Sequence, residues 1–282
     1  MENPLISVII PCFNHGKYLS EAIESVKSST LKEWEIVIVN DGSTDNTEEI
    51  AQSFLSDSRI HYLCQSNGGP SKARNHGISV ASGKYILPLD ADDKIAPTYL
   101  EEGVSFLNSH PEYSLFFCNI QYFGLDSSTH CVYYTGYKRQ LITNQIIGPS
   151  IFRKEDWERI GGYDEKFTQG AEDWEFWIRL LYPDKMVYKT EKFLHFYRQY
   201  HGTEEHLSNA VERNKQGVLA NIFSKHFDKF IEFYGAPQQI YLDNEYMHSW
   251  ADRKLPKMAL RMQRLYQSFV NRFIKRTKRT NE

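Results

Sequence analysis

Strand and helix signals alternate four times within about the first ninety residues, which predicts an α/β fold built on a doubly wound, mostly parallel sheet flanked by helices. Two further observations agree. Polar loops close the four apolar strands, at Phe13-Asn14, Asp41-Gly42, Gly68-Gly69 and Asp90 to Asp93. Sheets of this kind bind ligands outside the carboxyl ends of their strands. After His201 the pattern becomes helical to the end, which predicts a C-terminal helical extension.

Ser7-Val8-Ile9-Ile10 reads as the first strand, closed by Pro11-Cys12-Phe13-Asn14. Tyr18, Leu19, Ala22, Ile23 and Val26 then recur at helical spacing, with Ser20 as an available N-cap. Glu35-Ile36-Val37-Ile38-Val39 is a second strand. It ends in the turn-rich Asn40-Asp41-Gly42-Ser43-Thr44-Asp45, ahead of a helix through Ile50 and Phe54. Ile60 to Leu63 is a third strand, Asn67-Gly68-Gly69-Pro70 leads to a helix from about Ser71 to Ala81, and Tyr85 to Leu89 is a fourth strand. Beyond Pro97 the texture changes. A helix from Tyr99 to Leu107 precedes a strand from Leu115 to Phe123 and a tyrosine-rich stretch from Tyr122 to Tyr137. Gly148 to Phe152 is a strand or its entry, and a helix from Glu155 to Ile160 stops at Gly161-Gly162. A helix from Trp174 to Leu181 carries Trp174, Trp177 and Ile178 on its apolar side, and Phe193 to Tyr197 is a further strand. The expected division is a domain over 1–205, with halves 1–93 and 94–205, and an extension over 206–282.

A hydrophobic content of 41% over 282 residues supports a sizeable core. No apolar run approaches the roughly 18 residues of a membrane span. The start, Met-Glu-Asn-Pro-Leu, lacks the charged and apolar regions of a signal peptide. Cys12, Cys64, Cys118 and Cys131 show no metal-type spacing and suit free thiols in a reducing, cytoplasmic setting. The net charge of −3 conceals an asymmetry: residues 253–279 hold ten Lys/Arg and no Asp or Glu, so the rest of the chain carries −13. An acidic body repels phosphate backbones and argues against nucleic acid as a partner. In the basic tail Leu260, Leu265, Phe269, Phe273 and Ile274 recur near helical spacing. Such a helix either docks peripherally on an anionic membrane surface or packs on the body.

The chemistry concentrates in Leu89-Asp90-Ala91-Asp92-Asp93, where an apolar run delivers three carboxylates into a turn. Hard oxygen ligands in an Asp-x-Asp arrangement suit a divalent cation with positions left for phosphate oxygens. Lys72 and Arg74 open the helix after Gly68-Gly69, and cations at a helix N-terminus suit a diphosphate. Arg74 alternatively pairs with a carboxylate and holds the loop. A second acidic pair, Glu172-Asp173, heads an aromatic helix. It is either a remote base or acids placed to suit the macrodipole.

Five motifs, in order, carry a resemblance: Ser7 to Asn14, Ile38 to Asp45, Ala73-Arg74-Asn75-His76-Gly77-Ile78, Leu89 to Asp93, and Gly170-Ala171-Glu172-Asp173. Together, over roughly residues 5–205, they resemble the family 2 glycosyltransferases, inverting enzymes of the GT-A fold. The resemblance implies transfer of a sugar from a UDP-sugar to a glycan or lipid-linked glycan, as in bacterial surface polysaccharide synthesis. It implies that Asp41 contacts the uracil, with Pro11 and Phe13 lining the base; otherwise Asp41 is only a turn residue. It implies that Asp92 ligates Mn2+ or Mg2+, and that Asp90 serves ribose or metal waters. Asp93 either ligates or caps the following helix. Asp173 is implied as the base, with Glu172 tuning it, and His201, spaced from Arg198 as an Arg-x-x-His element, as a donor-side residue. Gly148 to Phe152 and Trp174 are expected to shape the acceptor pocket. A nucleotidyltransferase is the competing enzyme class, but the first strand end offers no Gly-rich triphosphate loop. A non-catalytic glycan- or nucleotide-binding module is the other alternative, and the intact Asp92 and Asp173 weigh against it.

Overall fold

A computed structural model of the chain describes residues 3–167, 170–183, 185–200 and 214–235. The chain divides into two compact units, Met1–His226 and Phe227–Glu282. In the first, β1 (Ile6–Cys12), β2 (Trp34–Asn40), β3 (Ile60–Cys64) and β4 (Tyr85–Pro88) pair in parallel in the order β3-β2-β1-β4. The crossovers are α1 (Gly16–Lys27), α2 (Thr47–Ser53) and α3 (Pro70–Val80). Every residue of β2 is buried, which is why Ile36 to Val39 reads as an unbroken apolar run rather than an alternating one. Ile6, Val8, Ile10, Ile36 and Ile38 share one core with Leu19, Ala22, Ile23 and Val26 of α1. On β1 and β2, Ile9 and Val39 meet α3, where a Cβ on Gly77 would come within 2.5 Å of Ile9 and 3.0 Å of Val39.

The sheet continues through the second half of the unit. β8 (Ile151–Arg153) runs antiparallel to β4, and β6 (Tyr113–Gly124) antiparallel to β8. β9 (Met186–Gln199) lies parallel to β6, the two-residue β5 (Lys94–Ile95) pairs antiparallel with β9, and β7 (Thr129–His130) pairs with β6. Helices α4 (Tyr99–Ser109), α5 (Tyr137–Gln140), α6 (Lys154–Ile160), α7 (Glu172–Leu180) and α8 (Lys215–Lys225) complete this unit. In the second unit α9 (Phe227–Tyr234) is described.

Three boundaries differ from the sequence expectation. First, α1 starts at Gly16, ahead of Ser20, because its cap comes from another loop. Asp45 Oδ2 accepts the Gly16 N–H at 2.9 Å while Oδ1 accepts the Thr47 N–H of α2 at 3.1 Å. One carboxylate therefore caps two helices and draws the ends of β1 and β2 together. Second, α7 starts at Glu172 rather than Trp174. Third, the first unit runs to His226, past the expected division at 205/206. Lys225 and His226 reach Glu175 of α7 at 2.8 and 3.1 Å, and Val218 and Ile222 of α8 are buried. No helix among the described residues is long and apolar enough to cross a membrane. The basic tail, 253–279, lies outside the described residues.

Gly77 gives a direct test of how α3 seats on the sheet. Alanine would gain about 1 kcal/mol of helix propensity, but overpacking costs about 1–3 kcal/mol. Gly77→Ala should lower unfolding free energy in urea titrations; a more stable variant would contradict the close contact.

Candidate active site

The loops after β1 and β2 are laced together at the carboxyl end of the sheet. Asn14, with a left-handed φ of 55°, donates its N–H to Ser43 Oγ at 3.0 Å and accepts the Thr44 N–H at 2.8 Å. Pro11 is half-buried in β1, and Phe13 just beyond is 48% exposed. Asp41 is buried, and its carboxylate accepts N–H bonds from Gly68 and Gly69, both at 2.8 Å, and from Gln65 Nε2 at 2.7 Å. A carboxylate offers about four lone-pair sites. Asp41 therefore acts first as the clamp that shapes the glycine loop at the head of α3.

Arg74 resolves its two readings in favour of carboxylates. Its guanidinium donates to Glu172 Oε1 at 2.6 Å and to Asp90 Oδ1 at 2.9 Å. Burial works against its charge, but Asp90 and Glu172 outweigh it and hold the group firmly protonated. Lys72 stands apart from Arg74. Two residues on a helix diverge by about 200°, and Lys72 packs along Gly68 and lines a cleft with Asn75, His76 and Trp157.

The three acids after β4 separate into different environments. Asp90 is half-exposed and held by Arg74. Asp93 is buried, and both oxygens are engaged: by His195 Nε2 at 2.7 Å and by the Arg198 N–H at 3.0 Å. The pairing of Lys94 with Phe196 and of Ile95 with His195 brings these partners in. Asp93 therefore ties the turn to the wall behind it. It does not cap a helix, since α4 begins only after Thr98. Asp92 is the half-buried carboxylate. Burial, then Asp93 and Asp90, push it up to about 8, against the pull of Arg198. The Tyr200 hydroxyl donates to its carboxylate, and His15 Nδ1 lies 3.9 Å away.

Asp173 stands at the start of α7, after Ala171, whose φ of 63° is left-handed without being glycine. Its Oδ2 accepts Asn144 Nδ2 at 2.9 Å, and its Oδ1 accepts the Trp174 N–H at 2.7 Å. Burial and the adjacent Glu172 push Asp173 up to about 7, against Arg74 and these two bonds. Glu172 is buried and paired to Arg74, so it orients its neighbour through the bridge. Trp174 corrects another expectation. It is 6% exposed, and its indole N–H bonds Gln140 O at 2.6 Å, so it anchors α7 to α5 rather than offering a face to a sugar. Gly148 packs on His195, where a Cβ would approach within 2.6 Å.

His201 lies outside the described residues. Several site residues, Arg198 of the Arg-x-x-His element aside, carried no sequence signal strong enough to single them out. Asn144 sits in a loop without a motif. Tyr18 and Tyr200 stack at 5.3 Å beside Asp92, and Arg198 lies over Tyr18 and Phe123, ion-paired to Glu21 at 2.8 Å. Only the strand-end position of His15, just after Asn14, pointed toward the site.

Removing the bridge leaves Glu172 buried without its cation, a change that costs about 3–5 kcal/mol for a fully buried pair. Asp90 is half-exposed and adds little. Arg74→Ala should therefore lose about 3 kcal/mol in urea denaturation, and a loss below about 1 kcal/mol would contradict the bridge.

Comparison with known proteins gives this geometry a family. Residues 7–156 match the description Glycosyl transferase family 2, and residues 129–202 match the N-terminal domain of galactosyltransferase. A stretch of 99 residues is 46% identical to glycosyltransferase GlyG of Streptococcus pneumoniae serotype 4, covering 34% of this chain and 33% of that protein. The uncharacterized glycosyltransferase YibD of Escherichia coli is 33% identical over 191 residues, covering 67% of this chain and 52% of that protein. The chain thus spans about a third to a half of the length of these relatives. Among solved structures, Staphylococcus aureus TarS 1-349 in complex with UDP-GlcNAc superposes with a TM-score of 0.62 at 21% identity, over 79% of this chain and 72% of that one. The mannosyltransferase PcManGT of Pyrobaculum calidifontis, in complex with GDP-Man and Mn2+, gives 0.61 at 15% identity, over 96% of this chain and 84% of that one. These neighbours are glycosyltransferases of the GT-A fold, and the mixed sheet with flanking helices is that fold. A parallel half that ends in laced polar loops, an acidic turn after β4 and an acidic pair heading α7 are thus the local form of a wider pattern: the chain belongs to glycosyl transferase family 2.

Proposed function

We propose that the chain is a metal-dependent, inverting glycosyltransferase that moves a sugar from a UDP-sugar to a glycan or lipid-linked glycan. The Arg74 bridge carries this reading, because it fixes the acidic turn after β4 and the segment bearing Asp173 in one frame. The bound UDP-GlcNAc and GDP-Man of the structural neighbours support a nucleotide-sugar donor. Phe13, Pro11 and Asp41 at adjacent strand ends are suited to the base, and Asp41 with one lone pair remaining favours a uracil N–H.

The donor set fits Mn2+ or Mg2+. No group of three or more His, Cys, Asp or Glu able to hold a metal occurs among the described residues. A hard cation of this kind takes one or two carboxylates and completes its shell with phosphate oxygens and water. Asp92 would hold it, with Asp90 beside it. When bound, the cation stabilises charge developing on the departing diphosphate. Asp173 takes the proton of the acceptor hydroxyl while that oxygen attacks the anomeric carbon opposite the nucleotide. The new C–O bond forms as the bond to diphosphate breaks, and the electron pair leaves with UDP. Asn144 holds the Asp173 carboxylate in orientation, and a carboxyl titrating near 7 is matched to a base at neutral pH.

The ten Lys/Arg of 253–279 support a peripheral position on an anionic, cytoplasmic membrane face. Lipid-linked acceptors for a surface polysaccharide are presented there.

The first test is UDP release from a panel of UDP-sugars without metal and with Mn2+ or Mg2+. Release from none of them, with either cation, would sink the reading. Asp173→Asn keeps the shape and removes basicity, and should slow transfer by roughly 10²–10⁴ with UDP affinity nearly unchanged. Equal loss of UDP affinity would move Asp173 to the donor site.

A pH dependence follows from the same group. A base works only when ionised, so the transfer rate should be flat above about 7 and fall roughly tenfold per unit below it. An acid limb well below that value would contradict it. Asp92→Ala should abolish Mn2+-dependent UDP binding by calorimetry while circular dichroism stays unchanged. Retained metal-dependent binding would remove Asp92 from the ligand set.

A further inference from the structure

The face of α3 opposite Arg74 borders a second opening. At about 100° per residue, Lys72, Asn75, His76 and Ser79 form one stripe, and Arg74 points about 150° from its middle. Across from this stripe stand Trp157 and Glu158 of α6 and the turn through Gly161 and Glu165. The cleft between them has a volume of about 710 Å³, within the range of small-ligand sites.

Its walls are pre-built. Asn75 Nδ2 donates to Tyr163 O at 2.9 Å and to Glu165 Oε1 at 3.0 Å, and its Oδ1 accepts the Trp157 indole N–H at 3.1 Å and the Tyr163 N–H at 2.8 Å. The indole is thereby fixed in orientation. Gly162, with φ 77°, lies so close that a Cβ would come within 2.7 Å of Asn75 Oδ1, whereas a Cβ on Gly161 would meet nothing within 4 Å. His76 Nδ1 is bonded to Gln65 at 2.8 Å, which leaves Nε2 for a ligand. Among the described residues no ion pair holds the Lys72 ammonium, and Glu158 and Glu165 are exposed on the rim.

Donors and acceptors of both signs around a half-buried indole suit a neutral polyhydroxylated ring. Sugar hydroxyls both donate and accept, and a C–H face packs on an aromatic one. A phosphate would meet two carboxylates against one ammonium, and an apolar ligand would desolvate the charged rim. We propose that the α3–α6 cleft is a second saccharide-binding site, set off from the donor crevice by Gln65, which bonds His76 on one side and Asp41 on the other, and that it holds a neutral sugar unit of a glycan. The proposal rests on the reading of the chain as a glycosyltransferase that acts on glycans.

The test follows the Trp157 indole N–H of the full chain in proton–nitrogen correlation spectra, assigned with Trp157→Phe. The probes are the methyl glycosides of glucose, galactose, mannose and N-acetylglucosamine at millimolar concentrations, with and without UDP and Mn2+. At least one should shift the Trp157 signal saturably in both conditions. Ser79→Phe, at an exposed position bordering the cleft, should weaken that sugar about tenfold or more and leave UDP-induced shifts unchanged. No saturable Trp157 shift with any of the four, or equal affinity in Ser79→Phe, would overturn the proposal. Saturable sugar shifts at Trp157 with no UDP-induced shift at any signal in the spectrum would sink the donor reading and leave the cleft standing.

Discussion

Arg74 is buried on α3 and shares its charge between Asp90 and Glu172, which lie 16 and 98 residues away along the chain. Desolvating a guanidinium is costly unless carboxylates compensate it; the buried Glu172 meets most of that requirement, and the half-exposed Asp90 completes the bridge. That requirement fixes the acidic turn after β4 against the N-terminus of α7. Two neighbouring features set the place of this side chain. Gly77 lets α3 lie close on Ile9 and Val39, and Asp41 clamps the glycine loop at the helix head.

The two carboxyls on either side of the bridge are both raised, Asp92 to about 8 and Asp173 to about 7, and burial is the largest cause in each. Without a cation, ionising Asp92 opposes folding. Its folded value lies above the ordinary one, so stability linked to this group is full below about pH 4 and is lost as pH rises through about 8. The backbone shows the same trade. The two non-glycine residues with left-handed φ among those described, Asn14 and Ala171, flank the loops that carry the site. An alanine there costs roughly 1–2 kcal/mol. Local stability is given up where chemistry needs a particular geometry.

The sequence made the parallel half legible because buried parallel strands are continuous apolar runs, and β1, β2 and β4 are such runs. It also made the acids legible, since carboxylates clustered at strand ends have few structural uses. It did not sort them. Asp93 is tied into the wall because a two-residue pairing of β5 with β9 delivers His195 and Arg198. No local pattern encodes so short a non-local contact. The start of α1 was misread for the same reason, its cap Asp45 lying in the next loop. Trp174 reads as a sugar platform in sequence, but the Gln140 carbonyl claims its indole N–H. The clamp on buried Glu175 by Arg179, Lys225 and His226 joins α8 to α7 across some fifty residues and has no signature at all.

The central proposal is that this frame supports a single displacement, with Asp173 drawing the acceptor proton while the acidic turn would hold the cation that takes up charge on the departing diphosphate. The most direct measurement is the anomeric configuration of the first transfer product, read by proton NMR before any equilibration, from whichever UDP-sugar is turned over. The account predicts inversion, an α-linked donor giving a β-linked product. Retention would require a covalent or front-face route that a base at Asp173 does not provide, and would contradict it.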